Sequence, residues 1–299
     1  MPETPWVYPL GSAADGGWQV SLGAADSAAK VPGWAHTGIK VTELAPGESV
    51  SLPAADEERL VIPLAGAFTI LADGTRYPLR GRNSVFAGPT DVLYSGVRMP
   101  LTVSSDNGGK VAVALAPAHG SYPVRLVTAE ETPVELRGSG TCSRQVHNFG
   151  TPAALEADRF IVCEVLTPAG NWSSYPPHKH DEEKDGESSL EEIYYFETRP
   201  AAGSPVPEDV DAVGYARVYA SDERPIDVKA EVRSGDVVLV PYGWHGPAMA
   251  APGYDLYYLN IMAGPGRVRE WLISDDPHHG WIRKTWDGQP VDPRLPFTS

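Results

Sequence analysis

The stretch "PPHKHDEEKDGESSLEEIYYFE", residues 176–197, sets two histidines one residue apart, follows them with an acidic run, and closes on a segment that reads as strand. In an extended chain, residues i and i+2 project from one face, about 6.6–7 Å apart along the strand. His178 and His180 therefore point together to one side of a sheet, a spacing suited to two imidazoles converging on a cation. An HxH alone is a weak signal. Here "LEEIYYFE" brings a carboxylate to the head of a new strand, and "GDVVLVPYGWHG", residues 235–246, brings His245 to a Gly/Pro turn after another. Three histidines and one of the glutamates Glu191 and Glu192 form a closed ligand set with positions left for water or substrate. The two glutamates face opposite ways if the strand has begun.

Outward from that stretch the chain keeps one rhythm. "GIKVTEL", "ERLVIPL", "KVAVALA", "FIVCEVL", "YARVYA" and "YDLYYLNIM" are short β-branched and aromatic runs set between Gly, Pro and Asp punctuation. That pattern predicts an all-β antiparallel sandwich or barrel. The best helical candidate, "RVREWLISDD" at 267–276, is short. The halves also echo each other: "LAPGESVSLPAADEERLVIPL" parallels "LTPAGNWSSYPPHKH…EEIYYFE", each with a Gly turn, a Glu-Glu pair and apolar strands. An internal duplication follows, with a boundary between Pro133 and Gly140 and domains at 1–135 and 136–299. The first half has no histidine in "SLPAADEERL" and none in "FAGPTDVLY", so its barrel is expected to lack metal ligands.

Composition narrows the function. With 24 Lys+Arg against 39 Asp+Glu, the net charge of -15 disfavours nucleic acid and anionic membrane, which need clustered positive charge. The two cysteines, Cys142 and Cys163, lie too far apart for a CxxC pair and read as buried thiols. No secretory signal and no run of about 20 apolar residues is evident, so a cytoplasmic location is expected and Asn171 should stay unmodified. "GWAHTGIK" has Ile39 where a phosphate loop needs lysine directly after the second glycine, and "RGSGT" lacks the setting of a nucleophilic serine. His278 and His279 are adjacent and diverge, which suits a surface. The run "DEEKDGE" reads as a solvated loop or a lid beside the metal.

The arrangement HxH…E…PxGxH resembles the cupin superfamily, whose fold is a double-stranded β-helix or jelly-roll barrel. Its ligand order, Glu-Ile-aromatic, selects Glu192 over Glu191 beside His178, His180 and His245. The long runs "PPHKHDEE", "LEEIYYF", "DVVLVPYGWHGP" and "WLISDDPHHGWI" resemble the 5-deoxy-glucuronate isomerase family of inositol catabolism, related to enzymes acting on 5-keto-4-deoxyuronate. The resemblance is dense from Arg144 to Trp286 and thinner before that. It implies a bicupin with one divalent metal ion in the second barrel, zinc or manganese ahead of iron, cobalt or nickel. It also implies an aldose–ketose isomerisation of a small uronate. Candidate bases are Glu191, Tyr258 or a metal-bound hydroxide; candidate partners for the substrate carboxylate are Arg144, Arg217 and Lys179. Rival readings on the same fold are a metal-dependent dioxygenase and a non-catalytic sugar-acid binder. Exposed barrel edges would suit a homo-oligomer.

Overall fold

Strand periodicity sorts the apolar residues. Along Glu191–Pro200, Ile193 and Tyr195 enter one apolar cluster while Tyr194 and Phe196 enter another. The strand Tyr254–Ala263 does the same, sending Tyr257, Leu259 and Ile261 one way and Tyr258 and Met262 the other. A sheet apolar on both faces must be covered on both.

The computed structural model describes residues 5–23, 33–207, 209–221 and 224–297. Its strand pairings are antiparallel throughout these residues. Helix among the described residues is confined to the 3-10 turns Val85–Ala87, Gly140–Cys142 and Gly280–Thr285. No described helix is long and apolar enough to cross a membrane. The all-β expectation from the sequence holds.

The second half is a two-layer barrel. A seven-stranded sheet runs Val7–Tyr8, Val237–Val240, Glu191–Pro200, Tyr254–Ala263, Ile161–Thr167, Arg144–Gly150, Val134–Arg137. It faces a smaller sheet built on Gly214–Ser221, Trp244–Ala250 and His178–Lys179. Val146, Ile161, Tyr194, Val218 and Leu256 fill the space between. In the first half the long strand Glu57–Ala72 serves both layers. Its start pairs with Val92–Ser95 and Gly109–Pro117, its end with Thr75–Arg82 and Leu101–Ser104.

The barrels meet face to face. Ile39, Leu60 and Ala112 from the first pack with Val162, Ile193 and Tyr257 from the second in one cluster, each fully buried. At roughly 1.5–3 kcal/mol for burying each large aliphatic side chain, this junction is a core in its own right. Across it Arg82 donates two bonds to Glu164, 2.6 and 2.7 Å, and the same carboxylate takes His147 Nδ1 at 2.6 Å and the Tyr257 hydroxyl at 2.8 Å.

Three readings change. Arg125–Val127 closes the first sheet and Val134–Arg137 opens the second, so a division at 135 cuts through a strand; Val7–Tyr8 also lies in the far barrel. Residues 267–276 form no helix. The Arg269 guanidinium donates to the carbonyls of Gly150, Leu155 and Phe160, which holds the segment against the barrel wall, and Ser274–Asp275 joins a sheet. The acidic run is a hairpin, Asp181–Lys184 with Glu187–Ser189, around the ammonium of Lys179.

Candidate metal centre

His178 and His245 sit directly across from each other on paired strands, and His180 follows two residues on. Ring centroids lie 4.4 Å apart for His178 and His245 and 4.6 Å for His180 and His245. One ligand nitrogen from each imidazole falls within 4.8 Å of the others, and all three residues are buried. Glu192 reaches in from the opposite sheet, its Oε2 3.2 Å from His180 Nε2 and 3.1 Å from His245 Nε2. The strand's two-residue repeat puts Glu192 on the same side as Tyr194, inside the barrel.

The rings are held from behind. Their Nδ1 atoms face main-chain carbonyls: His178 that of Pro176 at 3.3 Å, His180 that of Leu190 at 3.1 Å, His245 that of Gly243 at 3.3 Å. A carbonyl only accepts, so each Nδ1 carries the proton and each Nε2 offers a lone pair. His245 Nε2 is buried without a hydrogen-bond partner; its approach to Glu192 lacks the geometry of one. Asn260 Nδ2 donates to Glu192 Oε1, which fixes the carboxylate from its far side. Three lone pairs and a carboxylate oxygen converging with no donor among them fit a cation, and the mixed N/O set suits a divalent transition metal.

Beside the cluster opens a cavity of about 230 Å³, below the usual range for drug-sized ligands and suited to a smaller one. Its wall includes His178, Glu192, Tyr258 and three arginines, 137, 144 and 283. Two of the guanidiniums are already paired: Arg137 with Glu135 at 2.7 Å and Arg283 with Asp275 at 2.6 Å. Arg144 is buried; its guanidinium donates to the carbonyls of Cys142 and Tyr175, at 3.0 and 3.4 Å, and lies 5.6 Å over the Trp286 ring, with no carboxylate partner among the described residues. Burial, together with the neighbouring Arg137 and Arg283 charges, pushes its pKa down to about 10, still leaving it cationic at neutral pH. Ser174 Oγ bridges the stacked phenols of Tyr194 and Tyr258, at 3.0 and 3.1 Å, and burial raises the pKa of both tyrosines.

The other residues proposed from sequence lie elsewhere. Glu191 faces away from the imidazoles, and its carboxylate accepts the main-chain N–H groups of Ala35, His36 and Thr37 in the first barrel, so it is no base for this cavity. Arg217 points outward from Gly214–Ser221, exposed, with its guanidinium 4.1 Å over the Tyr219 ring. Lys179 alternates away from its histidine neighbours into Asp181 and Glu187, at 2.7 and 2.8 Å. Sequence reading missed Arg137, Arg283 and Asn260. Asn260 left a trace: it is the polar residue in "YYLNIM" at the same parity as Tyr258.

The first barrel has a counterpart of Glu192. In register, Glu58 faces the barrel junction as Glu191 does, and the next residue, Arg59, turns inward as Glu192 does. Its buried guanidinium donates to the carbonyls of Pro53 and Met99, at 2.6 and 3.1 Å, and to Glu57. A fixed cation stands in the first barrel at the strand position where the second presents its carboxylate.

Two antiparallel barrels with a histidine cluster inside one define a bicupin. Solved structures agree on the fold: oxalate decarboxylase from Lactobacillus farciminis, in a formate complex, superposes with a TM-score of 0.61 over 95% of this chain and 96% of that one, at 12% identity. The chain matches the KduI/IolB family over residues 9–282 and belongs to it. Among its relatives, 5-deoxy-glucuronate isomerase from Geobacillus kaustophilus is 42% identical over 256 residues, 85% of this chain and 88% of that protein. The enzyme of the same name from Bacillus subtilis strain 168 is 37% identical over 83% of this chain and 88% of its own length. An IolB-like protein of Salmonella typhimurium LT2 superposes with a TM-score of 0.81 at 33% identity, covering 93% of this chain and 98% of that one.

Proposed function

We propose that this chain is an aldose–ketose isomerase converting 5-deoxy-D-glucuronate to 2-deoxy-5-keto-D-gluconate, with one divalent ion held by His178, His180, His245 and Glu192. The observation that carries this reading is the pairing, in one small cavity, of a cation-ready ligand cluster with a buried guanidinium lacking a counter-ion. A sugar acid has a carbonyl end for the first and a carboxylate for the second. Family membership and the names of the relatives supply the particular substrate.

The reaction moves hydrogen from C2 to C1 and develops negative charge on the sugar oxygens, which a bound divalent ion would stabilise as a Lewis acid. The chain's own groups do the rest. Arg144 binds the carboxylate through a charge-assisted bond and so fixes which end of the substrate meets the imidazoles. Asn260 holds Glu192 in place. Val146, Val165 and Trp271 give the cavity an apolar stretch of wall. Glu192 is the sole carboxylate on the described cavity wall and is committed to the cluster, so the proton-carrying groups left near the sugar hydroxyls are Tyr258, Ser174 and Tyr194. We assign Tyr258, linked through Ser174, to relaying a hydroxyl proton. Zinc and manganese both suit the ligand set.

Elemental analysis of the purified protein, combined with NMR observation of 5-deoxy-glucuronate turnover, tests the reading. Bound divalent metal and a new ketose signal are expected. Full turnover by protein shown to be metal-free would refute the metal role, and dioxygen uptake without isomerisation would refute the reaction class.

A further inference from the structure

Glu191 and Glu58 make matching contacts in opposite directions. Glu191, in the second barrel, accepts the N–H groups of residues 35–37, just before the first barrel's strand Gly38–Leu44. Glu58, in the first barrel, accepts the N–H groups of Asp158, Arg159 and Phe160 at 2.7–2.8 Å, just before the second barrel's strand Ile161–Thr167. Each barrel clasps the other at the entry to a central strand. What differs is the next residue: after Glu58 comes Arg59, after Glu191 comes Glu192.

Three consecutive residues therefore gather the ligand set. Leu190 N–H donates to the carbonyl of His180 at 2.8 Å, and the Leu190 carbonyl faces His180 Nδ1. Glu191 is tied to the first barrel. Glu192 meets His180 and His245. The packing around this entry is tight, since a Cβ on Gly264 would lie 1.7 Å from the Ser189 carbonyl oxygen. From this we propose that Glu191 is a positioning residue, through which the first barrel sets the geometry of the metal centre in the second. The inference rests on the metal reading of the cluster and is independent of which sugar is isomerised.

The test uses cobalt(II) as the probe, added to full-length apo-protein, with affinity from titration and geometry from the visible d–d spectrum. Glu191→Ala is expected to weaken cobalt binding about tenfold or more, the scale seen when support behind a metal ligand is lost, and to alter the spectrum. Glu191→Gln keeps an oxygen for His36 and Thr37 and should bind within about threefold of wild type. Glu58→Ala cuts the mirror-image clasp and should lower the melting temperature while leaving affinity and spectrum unchanged. If Glu191→Ala does not fold, Glu191→Asp, which draws residue 191 towards the loop by one methylene, takes its place and must show the same loss. A folded Glu191→Ala or Glu191→Asp with wild-type affinity and spectrum overturns the proposal, as does an equal loss in Glu58→Ala. Wild-type protein that ignores cobalt would instead overturn the metal reading itself.

Discussion

Arg144 and Arg217 carry the same charge, and the strand that holds each decides what it can do with it. Arg144 faces the cavity without a counter-ion among the described residues; Arg217 faces solvent over Tyr219. Replacing Arg144 by Ala removes a charged hydrogen bond worth about 1.5–3 kcal/mol, so KM for the uronate should rise roughly tenfold to a hundredfold with a smaller change in kcat. Steady-state kinetics against a neutral aldose of the same length provides the check, since that substrate should show no such rise. Arg217→Ala should leave both constants unaltered. His245→Ala removes a ligand and should abolish metal binding and turnover, with circular dichroism showing intact sheet. Arg59 bears on stoichiometry, because its guanidinium stands at the first barrel's equivalent of Glu192. Elemental analysis should find one metal per chain. The cluster histidines were legible because HxH spacing and strand alternation are local rules. The cavity arginines were not, because Arg137 and Arg283 arrive from strand ends and turns whose aim depends on distant packing.

At the scale of elements, the histidine-bearing strand depends on close backbone approach. Gly246 follows His245 with a φ of +99°, and a Cβ there would lie 1.9 Å from the Ser174 carbonyl oxygen. Gly246→Ala should cost about 1–3 kcal/mol from strained backbone alone, and more from the clash. Thermal unfolding will show the loss, and metal titration should show a second effect, since His245 must shift with its neighbour. The hairpin 181–189 illustrates why a charged run misleads. Seven residues with one lysine among five acids read as solvent-facing, yet Glu187 is buried because Lys179 beneath the hairpin neutralises it. Only the three-dimensional partner turns a charge run into a folded element. Strands were easier to read: their alternation was written twice, once for each buried face.

For the whole molecule, the junction between barrels sets stability. Glu164 is fully buried; burial alone would raise its pKa, but the Arg82 guanidinium and the bond from His147 hold it well below the ordinary carboxylate range. A depressed folded-state pKa means that Glu164 contributes its full stabilisation above the unfolded value of 4.5 and loses it as pH falls towards about 2. Glu164→Gln leaves Arg82 buried without its counter-charge and should cost about 3–5 kcal/mol at neutral pH. Urea unfolding at pH 7 and pH 3.5 checks the sign: the gap between wild type and variant should narrow at the lower pH. The two-barrel fold was legible in the sequence, but this bridge was not, since nothing local links residue 82 to residue 164.

The pairing of Val7 with Val238 has a consequence for biosynthesis. As the ribosome releases this polypeptide, the strand Val7–Tyr8 has no mate among the described residues until Val237–Val240 emerges. Such long-range closure is entropically costly and slow to form. Val7–Tyr8 must stay extended and uncommitted while the intervening residues emerge, so a folding helper that shields it during translation should raise the yield of native protein.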